Sequence, residues 1–279
     1  MWRWSVLSAA VEVKVNGRPL PTTHTTVGAL RLELFAGAQN LVTILNGFAL
    51  AADAPLAGGD ELVFIEKGKL PPEDELEAMM SARHTPGVYQ KVKAARVAIA
   101  GLGGLGSTIA IALARTGVGH LHLVDFDVVE PSNLNRQQYK IKHLGLYKTE
   151  AMRQEIAEIN PFLTVSIDTE RVTEDNVATL FAADAIICEA FDNPDAKALL
   201  INGILGHCPG KKIVAGSGMA GFASSNRIET RRVFPDLYVC GDRETDARIG
   251  RGLMAPRVSV CAGHQANMVL RLLLGEEET

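Results

Sequence analysis

Between residues 101 and 192 the chain carries, in order, Gly101-Leu-Gly103-Gly104-Leu-Gly106, Asp125, Asp127, Asn133, Arg136-Gln137, Lys148 and Asp192. The four glycines permit a tight turn whose backbone N–H groups approach a phosphate, aided by the positive end of a helix. Taken alone, that loop fits NAD or FAD as well as ATP. Asp125 falls about where a ribose-binding carboxylate would sit in any of them. The following residues discriminate. A dehydrogenase would have an ordinary second helix after Asp125, whereas this chain has the polar stretch Asp125-Phe-Asp127-Val-Val-Glu130-Pro-Ser-Asn133-Leu-Asn-Arg136-Gln137. A triphosphate carries more charge than loop amides offset. Arg136 can fork two N–H bonds onto phosphate oxygens, Asn133 can donate from its amide, and Lys148 adds a point charge.

Each of these residues also has a plain structural reading. Asp125 could cap a strand, Arg136 could join a surface ion pair, Lys148 could be solvated, and Asp192-Asn193-Pro194 could be a helix N-cap turn. Asp127, Asn135 and Gln137 could serve only to shape the loop. Their joint occurrence in this order favours the nucleotide reading. Gly216-Ser-Gly218 reads as a strand-end turn rather than a second phosphate loop.

The elements that must position these residues follow from periodicity. Arg96–Ala100 is a short buried strand leading into the glycine loop, and residues 107–116 form the helix after it. Strands at 121–124, 165–167, 185–188 and 212–215 then alternate with helices, one of them 149–159 ended by Asn160-Pro161. This is the pattern of a Rossmann-like, doubly wound α/β sheet. Residues 11–66 differ. Val11, Val13 and Val15 alternate with Glu12 and Lys14, Asn16-Gly17 supplies a type I′ hairpin turn, and Val27, Leu30, Leu34 and Phe35 recur at helical spacing before Gly37. Apolar residues 41–45, a second Asn-Gly pair at 46–47 and strand 61–66 complete the order of a small β-grasp domain. Pro71-Pro72 and the acidic run Glu73-Asp-Glu-Leu-Glu77 mark a change in composition. They divide the chain into 1–70, an acidic linker 71–77 and a nucleotide-binding domain 78–279. Residues 79–94 read as helical and carry Arg83.

With 28 Lys and Arg against 32 Asp and Glu, the net charge of -4 offers no bulk attraction to nucleic acid or anionic membrane. The opening Met-Trp-Arg-Trp-Ser-Val-Leu has no apolar run of signal-peptide length, and no later stretch is long enough to span a bilayer, so the reading is cytoplasmic. Four cysteines, Cys188, Cys208, Cys240 and Cys261, form no C-x-x-C pair. That fits reduced thiols, and no structural zinc is expected. Cys188 and Cys261 lie in apolar segments and read as core. Cys240, read as a loop residue close to Arg243, is the candidate for a reactive thiolate. The seven histidines show no ligand spacing.

Val-Asn-Gly near the start and Gly-Asp-Glu-Leu-Val-Phe-Ile at 59–65 resemble the ThiS sulfur carriers of thiamine synthesis, which share the ubiquitin fold and end in Gly-Gly. This chain instead runs on through Glu66-Lys-Gly-Lys-Leu-Pro71, so it has no free carboxylate at that point. Its β-grasp domain is expected to dock or stabilise rather than to be a substrate. Residues 78–275 resemble the adenylating domain of the ThiF/MoeB/HesA family, relatives of the ubiquitin-activating enzymes. Arg83-His84, Phe191-Asp192-Asn193 and Tyr238-Val-Cys240-Gly-Asp242 favour the ThiF type that lacks zinc.

The resemblance implies that the glycine loop and Asp125 hold the nucleoside, that Asn133, Arg136 and Lys148 hold phosphates, and that Asp192 binds magnesium. Arg83 matches an arginine that reaches into a partner subunit's site, which implies a homodimer. Gly252-Leu-Met-Ala-Pro256 and Gly263-His-Gln265-Ala266 resemble the crossover region and final helix. The family thiol would fall at Arg248, Ile249 and Gly250, where this chain has no cysteine. The implied activity is Mg-ATP-dependent adenylation of the C-terminal glycine of a small Gly-Gly-ended sulfur carrier, in thiamine synthesis, with a sulfur donor protein as a further partner. An NAD-dependent oxidoreductase, a tRNA-modifying relative and a non-catalytic carrier-binding scaffold remain the alternatives.

Overall fold

The structure is a computed structural model that describes residues 10–38 and 40–279. The start of the chain, read above for a leader, lies outside the described residues. The chain forms two compact units, the first ending at Tyr89 and the second running from Gln90 to Thr279. None of the helices among the described residues is long and apolar enough to cross a membrane.

The first unit opens with β1 (Val11–Val15) and β2 (Arg18–Thr22), paired antiparallel. Between them Asn16 and Gly17 both take positive φ, 49° and 83°, as a type I′ turn requires. Helix α1 (Val27–Leu34) follows, capped by Thr26, whose hydroxyl accepts from Ala29 N–H at 3.2 Å. Strands β3 (Leu41–Leu45), β4 (Phe48–Ala49) and β5 (Glu61–Glu66) complete a sheet of order β2-β1-β5-β3-β4, with β1 parallel to β5. This is the β-grasp arrangement. Val13, Leu41, Leu62 and Phe64 meet Val27 and Leu30 of α1 on one face.

The opposite face is also covered. Helix α2 (Glu73–Ser81) packs on β5, and Met79 and Ala82 join Ile44, Val63, Val42 and Ile65. Asn16 Nδ2 donates to Glu75 Oε2 at 2.7 Å, and Arg18 pairs with Asp74. The acidic residues 73–75 therefore form the first turn of a helix, where their charge suits the N-terminal end of the dipole. The single helix expected over 79–94 is interrupted. Residues 82–87 form turns before α3 (Val88–Lys93) resumes, and Arg83 sits in that break. The cause is local: Pro86 offers no N–H and disfavours helix at Thr85, and Gly87 has φ of 78°.

The second unit is a seven-stranded sheet. Its order is β11-β12-β10-β9-β6-β7-β8. The elements are β6 (Arg96–Ala100), α4 (Gly104–Thr116), β7 (His120–Val124), α5 (Lys148–Ile159), β8 (Thr164–Asp168), α6 (Val177–Leu180), β9 (Ile186–Glu189), α7 (Pro194–His207), β10 (Lys212–Gly216), β11 (Glu229–Phe234), β12 (Leu237–Gly241) and α8 (Ala255–Leu274). All neighbours are parallel except the β11–β12 edge pair. Val97 to Ala100 of β6 are fully buried, as expected of a strand covered on both faces. Ala98 and Ala100 face α6 and α7 through Val177, Phe181, Leu200 and Ile204. Val97 and Ile99 point to the other face, where α4 packs between α5 and α8. The strand order turns back between β6 and β9, so the loop leaving β6 opens at the switch point where such folds take ligands.

Candidate phosphate-binding site

The loop from β6 to α4 has a shape that only glycine permits at two of its positions. Gly101 takes φ of 90°, and a Cβ there would lie 2.9 Å from the Ala190 carbonyl oxygen. A Cβ on Gly106 would lie 1.8 Å from Gly101 O. Gly103, the residue before α4, has open space: a Cβ would meet only Gln137 Nε2, at 3.9 Å. The free N–H groups at the start of α4 therefore lie next to a position, Gly103, that no side chain fills.

Asp125, directly after β7, is buried and braces this loop. Its Oδ2 accepts from Leu102 N–H at 2.6 Å and its Oδ1 from Asp127 N–H at 2.8 Å. Burial pushes its carboxyl above the usual value, opposed by the Lys148 charge and by the two N–H bonds. Tyr139 closes the same loop from behind by donating its hydroxyl hydrogen to Leu102 O at 2.9 Å.

The polar stretch folds over the loop. Asn133 Oδ1 accepts from Glu130 N–H at 3.0 Å and so fixes the short 3-10 turn Pro131–Asn133. Arg136 extends beside Gly104, with its Cγ 3.5 Å from where a Cβ would stand. Among the described residues its guanidinium touches only neutral acceptors, Ser132 O at 3.1 Å and Asn135 Oδ1 at 3.0 Å, and its Nε is buried without a partner. Gln137 Oε1 is likewise buried and unpartnered. Lys148, the first residue of α5, is buried and donates to Asp127 Oδ2 at 2.8 Å. An anion entering here meets one guanidinium with no carboxylate and one ammonium that must exchange Asp127 for the ligand.

Asp192 lies just past β9, two residues after Ala190, whose carbonyl abuts Gly101. It is exposed and has no hydrogen bond or ion pair among the described residues, whereas Asn193 caps α7 by accepting from Asp195 and Ala196 N–H at 2.8 and 3.0 Å. No group of three or more His, Cys, Asp or Glu among the described residues could hold a metal ion. A single unpaired carboxylate is nonetheless the donor set for magnesium held mainly by phosphate oxygens and water, so Asp192 fits that use.

The structure thus brings Gly101, Gly103, Gly104, Gly106, Asp125, Asp127, Asn133, Arg136, Gln137 and Lys148 into one contact network, with Asp192 on the adjoining turn. Arg83 belongs to the first unit. The reading of Cys240 is corrected: it lies in β12, fully buried, and burial pushes its thiol up to about 11. Such a thiol is not a surface thiolate. All four cysteines are free and buried. Glu189 and Lys197, which flank Asp192 along the chain, form an ion pair with a buried carboxylate and a partly exposed ammonium. Their only sequence signal is a carboxylate closing an otherwise apolar strand.

Fold and loop together define a Rossmann-like domain with its glycine loop at the switch point. The ThiF family profile matches residues 77–279 and a ThiS-like ubiquitin profile matches residues 11–68. The chain belongs to the ThiF family. Molybdopterin-synthase adenylyltransferase of Salmonella typhimurium is 33% identical over 190 residues, 66% of this chain and 75% of that protein. The tRNA threonylcarbamoyladenosine dehydratase of Escherichia coli is 40% identical over 109 residues, 38% of this chain and 41% of that protein. The adenylyltransferase and sulfurtransferase UBA4 of Eremothecium gossypii is 35% identical over 130 residues, 46% of this chain and 29% of that protein. The crystal structure of the E. coli dehydratase in complex with ATP superposes with a TM-score of 0.65 at 22% identity, covering 74% of this chain and 98% of that one. That likeness is one of fold.

Proposed function

We propose that the protein adenylates the C-terminal glycine carboxylate of a separate small β-grasp sulfur carrier, using Mg-ATP. The observation that carries this reading is the glycine loop beside which Arg136 lies with no carboxylate partner among the described residues, in a chain of the ThiF family. The carrier carboxylate attacks the α-phosphorus of ATP, the bond to the bridging oxygen breaks, and pyrophosphate leaves with the electron pair. The product is a carrier acyl-adenylate. A carboxylate is already ionised at neutral pH, so no general base is needed. What the protein must supply is relief of repulsion between two anions.

We assign the roles as follows. The N–H groups of the glycine loop and α4 take phosphate oxygens, Asp125 faces the ribose, and Arg136, Asn133 and Lys148 take the remaining phosphate charge. Gln137 and Asp127 shape the loop, Asp127 holding Lys148 until phosphate replaces it. A magnesium ion on Asp192 would add charge neutralisation. Arg83 is assigned to the site of a second copy, which makes the working form a homodimer. The first unit is a docking or stabilising element, supported by β5 continuing into α2 rather than ending in Gly-Gly.

Thiamine synthesis is the pathway we favour, on the ThiS-like profile over residues 11–68. The dehydratase relative supports a second reading, in which a tRNA is activated instead. Incubation with Mg-ATP and a Gly-Gly-ended carrier should add one adenylate to the carrier by mass, and none to a carrier lacking its last glycine. Adenylation of tRNA and not of any carrier would establish the second reading.

A further inference from the structure

The turn that carries Asp192 is closed by an ion pair between a buried carboxylate and a partly exposed ammonium. Glu189, the last residue of β9, is fully buried and pairs with Lys197 of α7. Its other oxygen accepts from Phe191 N–H at 2.8 Å. Lys197 Nζ also donates to Gly216 O at the end of β10, at 2.7 Å. The pair therefore ties together both ends of segment 189–197 and the neighbouring strand. The bond to Phe191 N–H fixes the Ala190–Phe191 peptide, one peptide unit removed from Asp192. On the other side, Ala190 N–H donates to Ala100 O at 2.9 Å, which sets the turn against the phosphate loop.

Burying the Glu189 carboxylate is costly even with a partly exposed partner, and a matched pair of apolar side chains is often as stable or more so. What the ion pair adds is direction: its two side chains bond each other and also the backbone at Phe191 N–H and Gly216 O. Asp192 itself makes no bond among the described residues that would orient it.

We propose that Glu189 and Lys197 are positioning residues for Asp192, holding the turn so that its carboxylate meets a divalent cation on the ATP phosphates. This rests on the assignment of Asp192 above. It predicts that loss of the pair weakens metal binding in the nucleotide complex more than it weakens nucleotide binding.

The test is Mn2+ binding to the full-length protein, followed by electron paramagnetic resonance, with and without a non-hydrolysable ATP analogue. Lys197→Met should weaken Mn2+ binding in the analogue complex by roughly tenfold or more, as loss of supporting partners does at metal sites. Affinity for the analogue without metal should stay near the parent value, and Lys197→Arg should keep Mn2+ binding. Glu189→Gln keeps the side-chain shape and one acceptor for Phe191, and should behave like Lys197→Met should the latter not fold. Adding Lys197→Met to Asp192→Asn should cause no further loss, because the clamp acts through Asp192. If Asp192→Asn loses Mn2+ but folded Lys197→Met and Glu189→Gln do not, the clamp is refuted and the Asp192 assignment stands. If Asp192→Asn binds Mn2+ as the parent does, the assignment falls and the clamp falls with it.

Discussion

Two glycines three residues apart in the phosphate loop should fail in opposite ways when changed to alanine. At Gly106 the new methyl carbon would stand 1.8 Å from Gly101 O, 2.8 Å from Gly101 C and 3.3 Å from the Ala190 side chain. Ordinary contact begins near 3.4 Å, so backbone rather than a side-chain tip would have to move by more than an ångström. Overpacking of this kind costs roughly 1–3 kcal/mol, and here the upper end or beyond is expected. At Gly103 φ is -71°, on the negative side, and the methyl meets nothing nearer than 3.9 Å. Gly103→Ala should thus stay within about 1 kcal/mol of the parent, the scale of an N-cap change. Its methyl, however, occupies the surface assigned to phosphate. ATP affinity should fall at least tenfold, which is about 1.4 kcal/mol. Urea unfolding and calorimetric ATP titration separate the two effects. Parent-like ATP binding by Gly103→Ala would refute the placement of phosphate on this loop, and parent-like stability of Gly106→Ala would refute the close approach.

Arg83→Ala and Asp192→Asn should each lower adenylation by about a hundredfold or more, while mixed subunits recover part of it; no recovery after proven subunit exchange would refute a shared site. Cys240→Ser should keep carrier adenylation within about twofold, since a buried thiol is inert, and its abolition in a folded variant would restore a covalent role. His122 donates between Asp184 and Asp168, at 2.7 and 2.8 Å. Burial disfavours its charged ring, but the two carboxylates outweigh burial and raise its pKa above 6.5. The stabilisation it gives is complete below the unfolded value and is lost as pH rises through the folded one. The difference in unfolding free energy between the parent and His122→Asn should therefore shrink from pH 6 to pH 9; a constant difference would remove the charge from the account. Intact protein given ATP and sulfide without a carrier should acquire no adenylate or thiocarboxylate within residues 11–70, as judged by peptide mass.

Both Asn-Gly hairpins, the alternating strands and the loop at 101–106 were legible because local residue types alone determine them. Arg136 and Lys148 were legible as cations following a strand-end acid, since their order along the chain reproduces their order around the loop. Cys240 was misplaced because β11 is a charged edge strand, Glu229-Thr-Arg-Arg-Val-Phe234, with no apolar alternation to reveal its pairing with β12. The break around Arg83 was missed although Pro86-Gly87 announces it: helical periodicity on both sides outweighed the punctuation. Glu189 and Lys197 were invisible because a charge at a strand end looks solvated until α7 folds back over it. The second covered face of the β-grasp sheet depends in the same way on α2 returning to β5, and nothing within 73–81 specifies that.

The most direct measurement is isotope exchange between labelled pyrophosphate and ATP, with and without a purified Gly-Gly-ended carrier. Reversible formation of a carrier acyl-adenylate predicts exchange that needs both the protein and the carrier, and that disappears when the carrier's last glycine is removed. Exchange that proceeds equally without a carrier, or that a family of intact carriers fails to elicit while tRNA does, would contradict it.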